Sequence, residues 1–295
     1  MTTLAVDLGG THMRCARVDA DGTVTERQVH ATPHDGTGVS ALVKLMGNVT
    51  GCRQAVVGVP GRVDYRQGQL EHAPNLPPEW VPQLSEADLG AAVGLPVSLA
   101  NDADLATVGE SYFGAGRDHS DVVYLTLSTG VGAGVVVGGL LVHGHRSLAE
   151  VGHEIIDLTR LRAGEPATLE DLASGTALGR AAAAAGLGPL GRDVLDAIDA
   201  GNPAAQSIWD DVVSAAAAGI VNVAWTFSPE VIIIGGGLGL VGDVLLGPVR
   251  RAVARDGPPA VSPPIQIVPA TLGDDAGLVG AAAWHRAFRP EAAGR

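Results

Sequence analysis

Two groups of polar side chains in this sequence could do chemistry. Asp102 follows Asn101 at the end of the apolar run 97–100 and opens a segment that reads as a helix. A carboxylate at the C-terminal end of a strand stands where ligand clefts open in α/β proteins, and it can take a proton from a substrate hydroxyl. The same Asn-Asp pair also suits a plain helix cap. Asp104 can serve as that cap and leave Asp102 for other work. Glu150 and His153, three residues apart, and later Glu170 flank apolar segments. Carboxylates accept from several hydroxyls at once, so this group suits a polyol, although lone histidines are more often structural. His153 and Glu154 could be imagined as metal ligands, with His143 and His145 upstream, but no cysteine and no second close histidine completes a set.

Glycine turns supply the other chemistry. Asp7-Leu8-Gly9-Gly10-Thr11 lies between the apolar run 4–6 and an extended run 13–18 that ends at Asp21-Gly22. Strand, glycine turn, strand is a hairpin pattern, whereas a P-loop or dinucleotide fold puts a helix after its glycines. Gly9 and Gly10 then turn backbone N–H groups toward an anion, with the Thr11 hydroxyl and the Asp7 carboxylate beside them. Ser128-Thr129-Gly130-Val131-Gly132 repeats the design between the apolar runs 122–127 and 133–137. Two such hairpins facing each other could hold the phosphates of a nucleotide. Gly235-Gly236-Gly237, after the run 231–234 and before a helix, resembles a nucleotide-binding turn; close packing explains it equally well.

These residues need an α/β framework. Runs 4–6, 13–18 and 23–29 are expected to form a meander, 39–46 a helix, and 55–59 a strand closed by Pro60-Gly61. A proline-rich loop at 73–82 carries Asn75 and Trp80. Strand 97–100 leads into helix 102–112, and Gly114-Ala115-Gly116 breaks the pattern. Helices are expected at 169–178, 194–200, Pro203–Phe227, 241–255 and 276–288, with strands at 231–234 and 265–269. The expected domains are a small lobe, 1–115, completed by the terminal segment 276–295, and a large lobe, 116–275.

Composition narrows the function. A chain of 295 residues, 46% hydrophobic and with 41 glycines, is long enough for about two domains with a large core. The net charge of −13 argues against general nucleic-acid or anionic-membrane binding, which rest on basic surface. ATP stays possible, because backbone amides and Mg2+ can neutralise phosphate locally. Lys44 is the only lysine, which disfavours a lysine phosphate clamp. Cys15 and Cys52 are too far apart for a CxxC pair and read as reduced, buried cytoplasmic thiols. No signal-like N-terminal segment is present, and the longest apolar tract, 215–227, is too short to span a bilayer.

In their joint order these segments resemble the ROK family of sugar kinases, in the actin/hexokinase/Hsp70 ATPase superfamily. Asp7-Leu8-Gly9-Gly10-Thr11 resembles its first phosphate motif, and Leu127-Ser128-Thr129-Gly130-Val131-Gly132-Ala133-Gly134 its second. Val57-Gly58-Val59-Pro60-Gly61 and Ala73-Pro74-Asn75-Leu76 resemble its sugar-side loops. Asn101-Asp102-Ala103-Asp104 with Gly109-Glu110 resembles the catalytic segment, and Ile234-Gly235-Gly236-Gly237 the adenosine motif. Ala149-Glu150-Val151-Gly152-His153 and Leu169-Glu170-Asp171-Leu172-Ala173-Ser174-Gly175 resemble the flanks of the family's zinc loop.

The resemblance implies a two-lobed actin-like, ribonuclease H-like α/β fold with a central cleft. It implies ATP-dependent phosphorylation of a hexose at its 6-hydroxyl, glucose first, with N-acetylglucosamine, fructose, mannose or N-acetylmannosamine as alternatives. Asp102 would be the general base, Asn101 would bind a neighbouring hydroxyl, and Asn75, Glu150, His153 and Glu170 the ring hydroxyls. Gly9, Gly10, Thr11, Thr129 and Gly130 would bind ATP phosphates, Asp7 would position Mg2+ through water, and Gly235, Gly236 and Gly237 would lie along the adenosine. A homodimer or homotetramer is expected. Two departures stand out: residues 154–168 contain no cysteine, so no structural zinc is expected, and His12 stands where many members have lysine. The family's sugar-responsive repressors carry an N-terminal DNA-binding segment, and here the phosphate motif begins at residue 7.

Overall fold

The computed structural model of the chain describes residues 2–259 and 264–288. Two compact units are present: Met1–Asp121 with Gly134–Leu148 and Thr271–Arg295, and Val122–Ala133 with Ala149–Ala270. The first break thus falls after Asp121, beyond the glycines at 114–116. Residues 134–148 and 271–275, expected in the large lobe, group with the N-terminal part. Residues 289–295 of the expected terminal segment lie outside the described residues.

In the first unit, β1 (Thr3–Leu8) pairs antiparallel with β2 (His12–Val18), and β2 with β3 (Val24–Ala31). On its other side β1 runs parallel to β4 (Gln54–Val59), and β4 to β7 (Val97–Asn101), giving the order β3-β2-β1-β4-β7. The central strands β1 and β4 are apolar on both faces because both faces are covered. Leu42, Leu45, Met46, Trp80 and Leu89 belong to the core built on this sheet. Helices Asp102–Phe113 and Ala276–Ala287 pack together, and the second also lies against β1, β2 and β4. Their crossing is close: a Cβ on Gly109 would stand 2.2 Å from the Ala276 carbonyl oxygen, and one on Gly280 would stand 1.9 Å from that of Leu105.

A second sheet has the corresponding order, β10-β9-β8-β11-β12, with β8 at Val122–Leu127, β9 at Val131–Val137, β10 at Leu140–Leu141, β11 at Val231–Gly235 and β12 at Gln266–Pro269. Parallel β8, β11 and β12 form its second half. The 25-residue helix Pro203–Phe227, opened by Asn202 capping Ala204 and Ala205, packs against helix Asp243–Asp256.

Several short elements were absent from the sequence reading. A two-stranded ladder, β5 (Arg62–Asp64) with β6 (Gln69–His72), and helix Glu86–Val93 are too short for a periodic signal. The proline-rich loop contains the 3-10 turn Pro78–Gln83. The expected helix 169–178 is two helices, Leu169–Ala173 and Gly175–Ala184. Ser174 parts them: its backbone is extended, and its side chain caps the second helix at Ala177.

Candidate functional site

In the first unit, the turn between β1 and β2 is closed by Gly9 N–H donating to the His12 carbonyl at 2.9 Å. Thr32 braces it, its hydroxyl donating to the Gly9 carbonyl at 2.7 Å and its N–H to that of Thr11. Gly10 lies so close to Asn75 that a Cβ would stand 2.8 Å from the Asn75 carbonyl oxygen. Asn75 itself is exposed. The first glycine turn and the 73–76 loop are therefore in direct contact.

Asp7 leaves β1 beside this turn. Arg14 donates to its Oδ2 at 3.2 Å and also to the Asp274 carbonyl at 2.9 Å, while Arg27 pairs with Asp275 at 3.0 Å. Burial raises the Asp7 carboxyl above the usual range and outweighs the opposing pull of Arg14.

Asp102 is the first residue of helix Asp102–Phe113, at the C-terminal end of β7, and is exposed. Its Oδ1 accepts from Ala103 N–H at 2.8 Å. Asn101, rather than Asp104, caps this helix: its Oδ1 accepts from Asp104 N–H at 3.0 Å, and its Nδ2 donates to the Gly61 carbonyl at 2.8 Å. The expectation that Asp104 caps fails because the residue before the first helical turn has the extended backbone that capping requires. Asp104 is buried and accepts from the Tyr65 hydroxyl at 2.7 Å, and that hydroxyl also receives Asn101 N–H at 3.1 Å. The Asn101 amide keeps one N–H and one lone pair beyond these bonds. At the far end of the helix, fully buried Glu110 accepts from the N–H groups of Ala115, Thr271 and Leu272 at 2.8–2.9 Å.

The second unit carries the other glycine turn. Ser128 N–H donates to the Gly130 carbonyl at 2.9 Å. Gly175 N–H donates to the Ser128 carbonyl at 2.6 Å, and the Thr176 hydroxyl to that of Thr129 at 2.6 Å. Val131, the next residue, touches both Glu170 and the backbone of the short turn that carries His153. Its N–H donates to Glu170 Oε2 at 2.8 Å, and its carbonyl oxygen lies 2.4 Å from where a Cβ on Gly152 would be. Gly152 sits between Glu150 and His153, both exposed, in the single turn Val151–His153. Glu170 is placed by a reciprocal cap, Thr168 with Asp171, at the start of its helix.

A cleft of about 710 Å³ opens on the same turn, lined among others by Thr129, Thr176, Arg180, Leu190, Arg192 and Gly237. That volume suits a nucleoside-sized ligand. The three glycines divide their roles. A Cβ on Gly235 would meet the Tyr124 hydroxyl at 2.3 Å, and one on Gly236, at φ +76°, the Leu127 carbonyl oxygen at 2.4 Å. Both are packing glycines, whereas Gly237 meets nothing within 4 Å and lines the cleft.

Residues 3–287 match the ROK family. The chain belongs to the ROK family. It is 32% identical over 305 residues to a glucokinase of Thermotoga maritima, covering 95% of each chain. It is 37% identical over 291 residues to the bifunctional enzyme NanE/NanK of Brucella suis, covering 95% of this chain and 52% of that one. Among solved structures it resembles the ROK family glucokinase of Streptomyces griseus in complex with glucose and AMPPNP, at 32% identity and a TM-score of 0.79, covering 96% and 98% of the two chains. The α/β fold is the actin-like, ribonuclease H-like one of the ROK sugar kinases.

The cysteine-free loop of this ROK chain is closed by backbone instead. Ile156 N–H donates to the Ala167 carbonyl and Leu169 N–H to that of Glu154, and Asp157 caps helix Leu158–Ala163. Among the described residues, no group of three or more His, Cys, Asp or Glu side chains is placed to hold a metal ion. Sequence reasoning missed Thr32, Tyr65 and Thr176, which brace turns or the helix start. It also missed Arg180, Leu190 and Arg192, which line the cleft. None carries a motif, and Thr32, Tyr65 and Thr176 act through contacts distant in sequence.

Proposed function

We propose that this ROK protein is an ATP-dependent hexokinase that phosphorylates the 6-hydroxyl of glucose. One observation carries the reading. The glycine turn at Ser128–Gly130 adjoins a nucleoside-sized cleft through Thr129 and, through Val131, both the Glu170 carboxylate and the Val151–His153 turn that Glu150 precedes. A triphosphate lying on that turn would lead from a nucleoside on one side toward a polyol on the other.

In this reading Asp102 takes the proton of the attacking hydroxyl, with Asn101 and Asn75 beside it on the sugar. General-base help is worth about 10²–10⁴-fold. Gly9, Gly10, Thr11, Thr129 and Gly130 bind the phosphates, and the adenosine lies along Gly237 in the cleft. The Asp7 carboxylate supplies the hard oxygen that suits Mg2+, directly or through water. Mg2+ when bound neutralises phosphate charge. Most of the acceleration then comes from orientation and from backbone amides aimed at the phosphates. The protein is expected to act in the cytoplasm as a homodimer or homotetramer, with no nucleic-acid or membrane partner.

The test is ADP release with glucose, mannose, fructose, N-acetylglucosamine and N-acetylmannosamine. Glucose is expected to give the highest kcat/KM, with glucose 6-phosphate as product. ADP release with none of them, or a higher kcat/KM on an N-acetylated sugar, would reject the glucokinase assignment.

A further inference from the structure

Glu170 has two claims on its carboxylate. Oε2 accepts from Val131 N–H at 2.8 Å, directly behind the Thr129-Gly130 turn. Oε2 also lies 2.5 Å from where a Cβ on Gly130 would be, so the glycine is what lets the carboxylate reach the turn. Gly130 is not among the residues with positive φ, so its lack of a side chain is not a backbone requirement. Oε1 makes no hydrogen bond to the described residues. The segment behind the carboxylate is held on the same turn, by Gly175 on the Ser128 carbonyl and Thr176 on the Thr129 carbonyl.

Resting on the hexokinase reading, we propose that Glu170 is shared between the two substrates. One oxygen fixes the phosphate-binding turn and the other takes a sugar hydroxyl, so that sugar and nucleotide report on each other through this one side chain. A sugar hydroxyl on Oε1 holds the carboxylate in its orientation, which holds Val131 N–H and the turn. By linkage, the nucleotide must favour the sugar by the same factor. Glu170 is thus a positioning residue for the nucleotide as well as a sugar ligand.

The test crosses the readouts. AMPPNP with Mg2+ is titrated calorimetrically in the absence of sugar, and glucose in the absence of nucleotide, for wild type, E170A, E170Q and G130A. E170A is expected to weaken AMPPNP by about tenfold, the loss expected for a charge-assisted hydrogen bond. A residue serving only as a sugar ligand would leave this binding unmoved. E170Q, whose amide oxygen can still accept from Val131, should keep AMPPNP affinity within about twofold of wild type. G130A, which pushes a methyl into the place of Oε2, should weaken glucose several-fold although no nucleotide is present. AMPPNP binding to E170A that is unchanged or tighter overturns the proposal, and so does wild-type glucose affinity in G130A. Should E170A fail to fold, E170Q and G130A decide alone. Failure of wild type to bind glucose counts against the hexokinase reading, while the AMPPNP arm needs no sugar.

Discussion

At the scale of single residues, Asp102 and Asp7 are both acids at or near the C-terminal end of a strand, and their surroundings set them apart. Asp102 is exposed in the first turn of its helix. D102N removes the base while keeping the shape. Turnover should fall by about 10²–10⁴-fold with AMPPNP affinity unchanged, as rapid-quench and calorimetric measurements would show. Near wild-type turnover would mean that another group takes the proton. Asp7 differs because burial raises its carboxyl despite Arg14. A raised acid in the folded state binds its proton more tightly than in the unfolded chain, so its ionised form opposes folding at neutral pH. D7N should therefore raise the urea midpoint at pH 7. That gain should shrink as pH falls through the raised value and vanish below the ordinary carboxylate range. An equal gain at pH 7 and pH 3 would contradict this. Nucleotide binding in the presence of Mg2+ should weaken in the same variant.

At the scale of elements, two devices aim the site. The first is the crossing of helices Asp102–Phe113 and Ala276–Ala287 at Gly109 and Gly280, which fixes the helix bearing Asp102. A methyl at Gly280 meets backbone, not a mobile side chain, so the helices must part. G280A should cost about 1–3 kcal/mol in urea unfolding, and its kcat should fall more than its KM for ATP rises. The second is the loop 154–168, closed by backbone pairing between Ile155 and Thr168 and by the Asp157 cap. We expect this pairing to hold the loop without zinc. Dialysis against EDTA should leave Tm unchanged in the absence of nucleotide, and elemental analysis should find no stoichiometric zinc. A drop of several degrees would show that metal holds the loop.

At the scale of the whole molecule, two five-stranded sheets of corresponding order each place a glycine turn between their first two strands in sequence. Ligands that bind only the folded state stabilise it by mass action. Glucose and AMPPNP at about 100 times their Kd should each add about 2.7 kcal/mol. Thermal melts should therefore rise by several degrees with either ligand. If the two substrates are coupled, the pair should raise Tm by more than the sum of the single shifts.

Much of this was legible in the amino-acid order. Hairpins around Gly9-Gly10 and Gly130, the helix Pro203–Phe227 and the position of Asp102 at a strand end follow from local pattern, because strand and helix periodicity and glycine turns are written in neighbouring residues. Tertiary structure alone decided what distant groups do. It made Asn101 the cap in place of Asp104, tied Glu170 to Val131, 39 positions away, and divided Gly235-Gly236-Gly237 into two packing glycines and one that lines a cleft. The physical reason is that hydrogen bonds and steric contacts form between atoms close in space, and sequence spacing does not encode which carbonyl, Cβ or amide will arrive there.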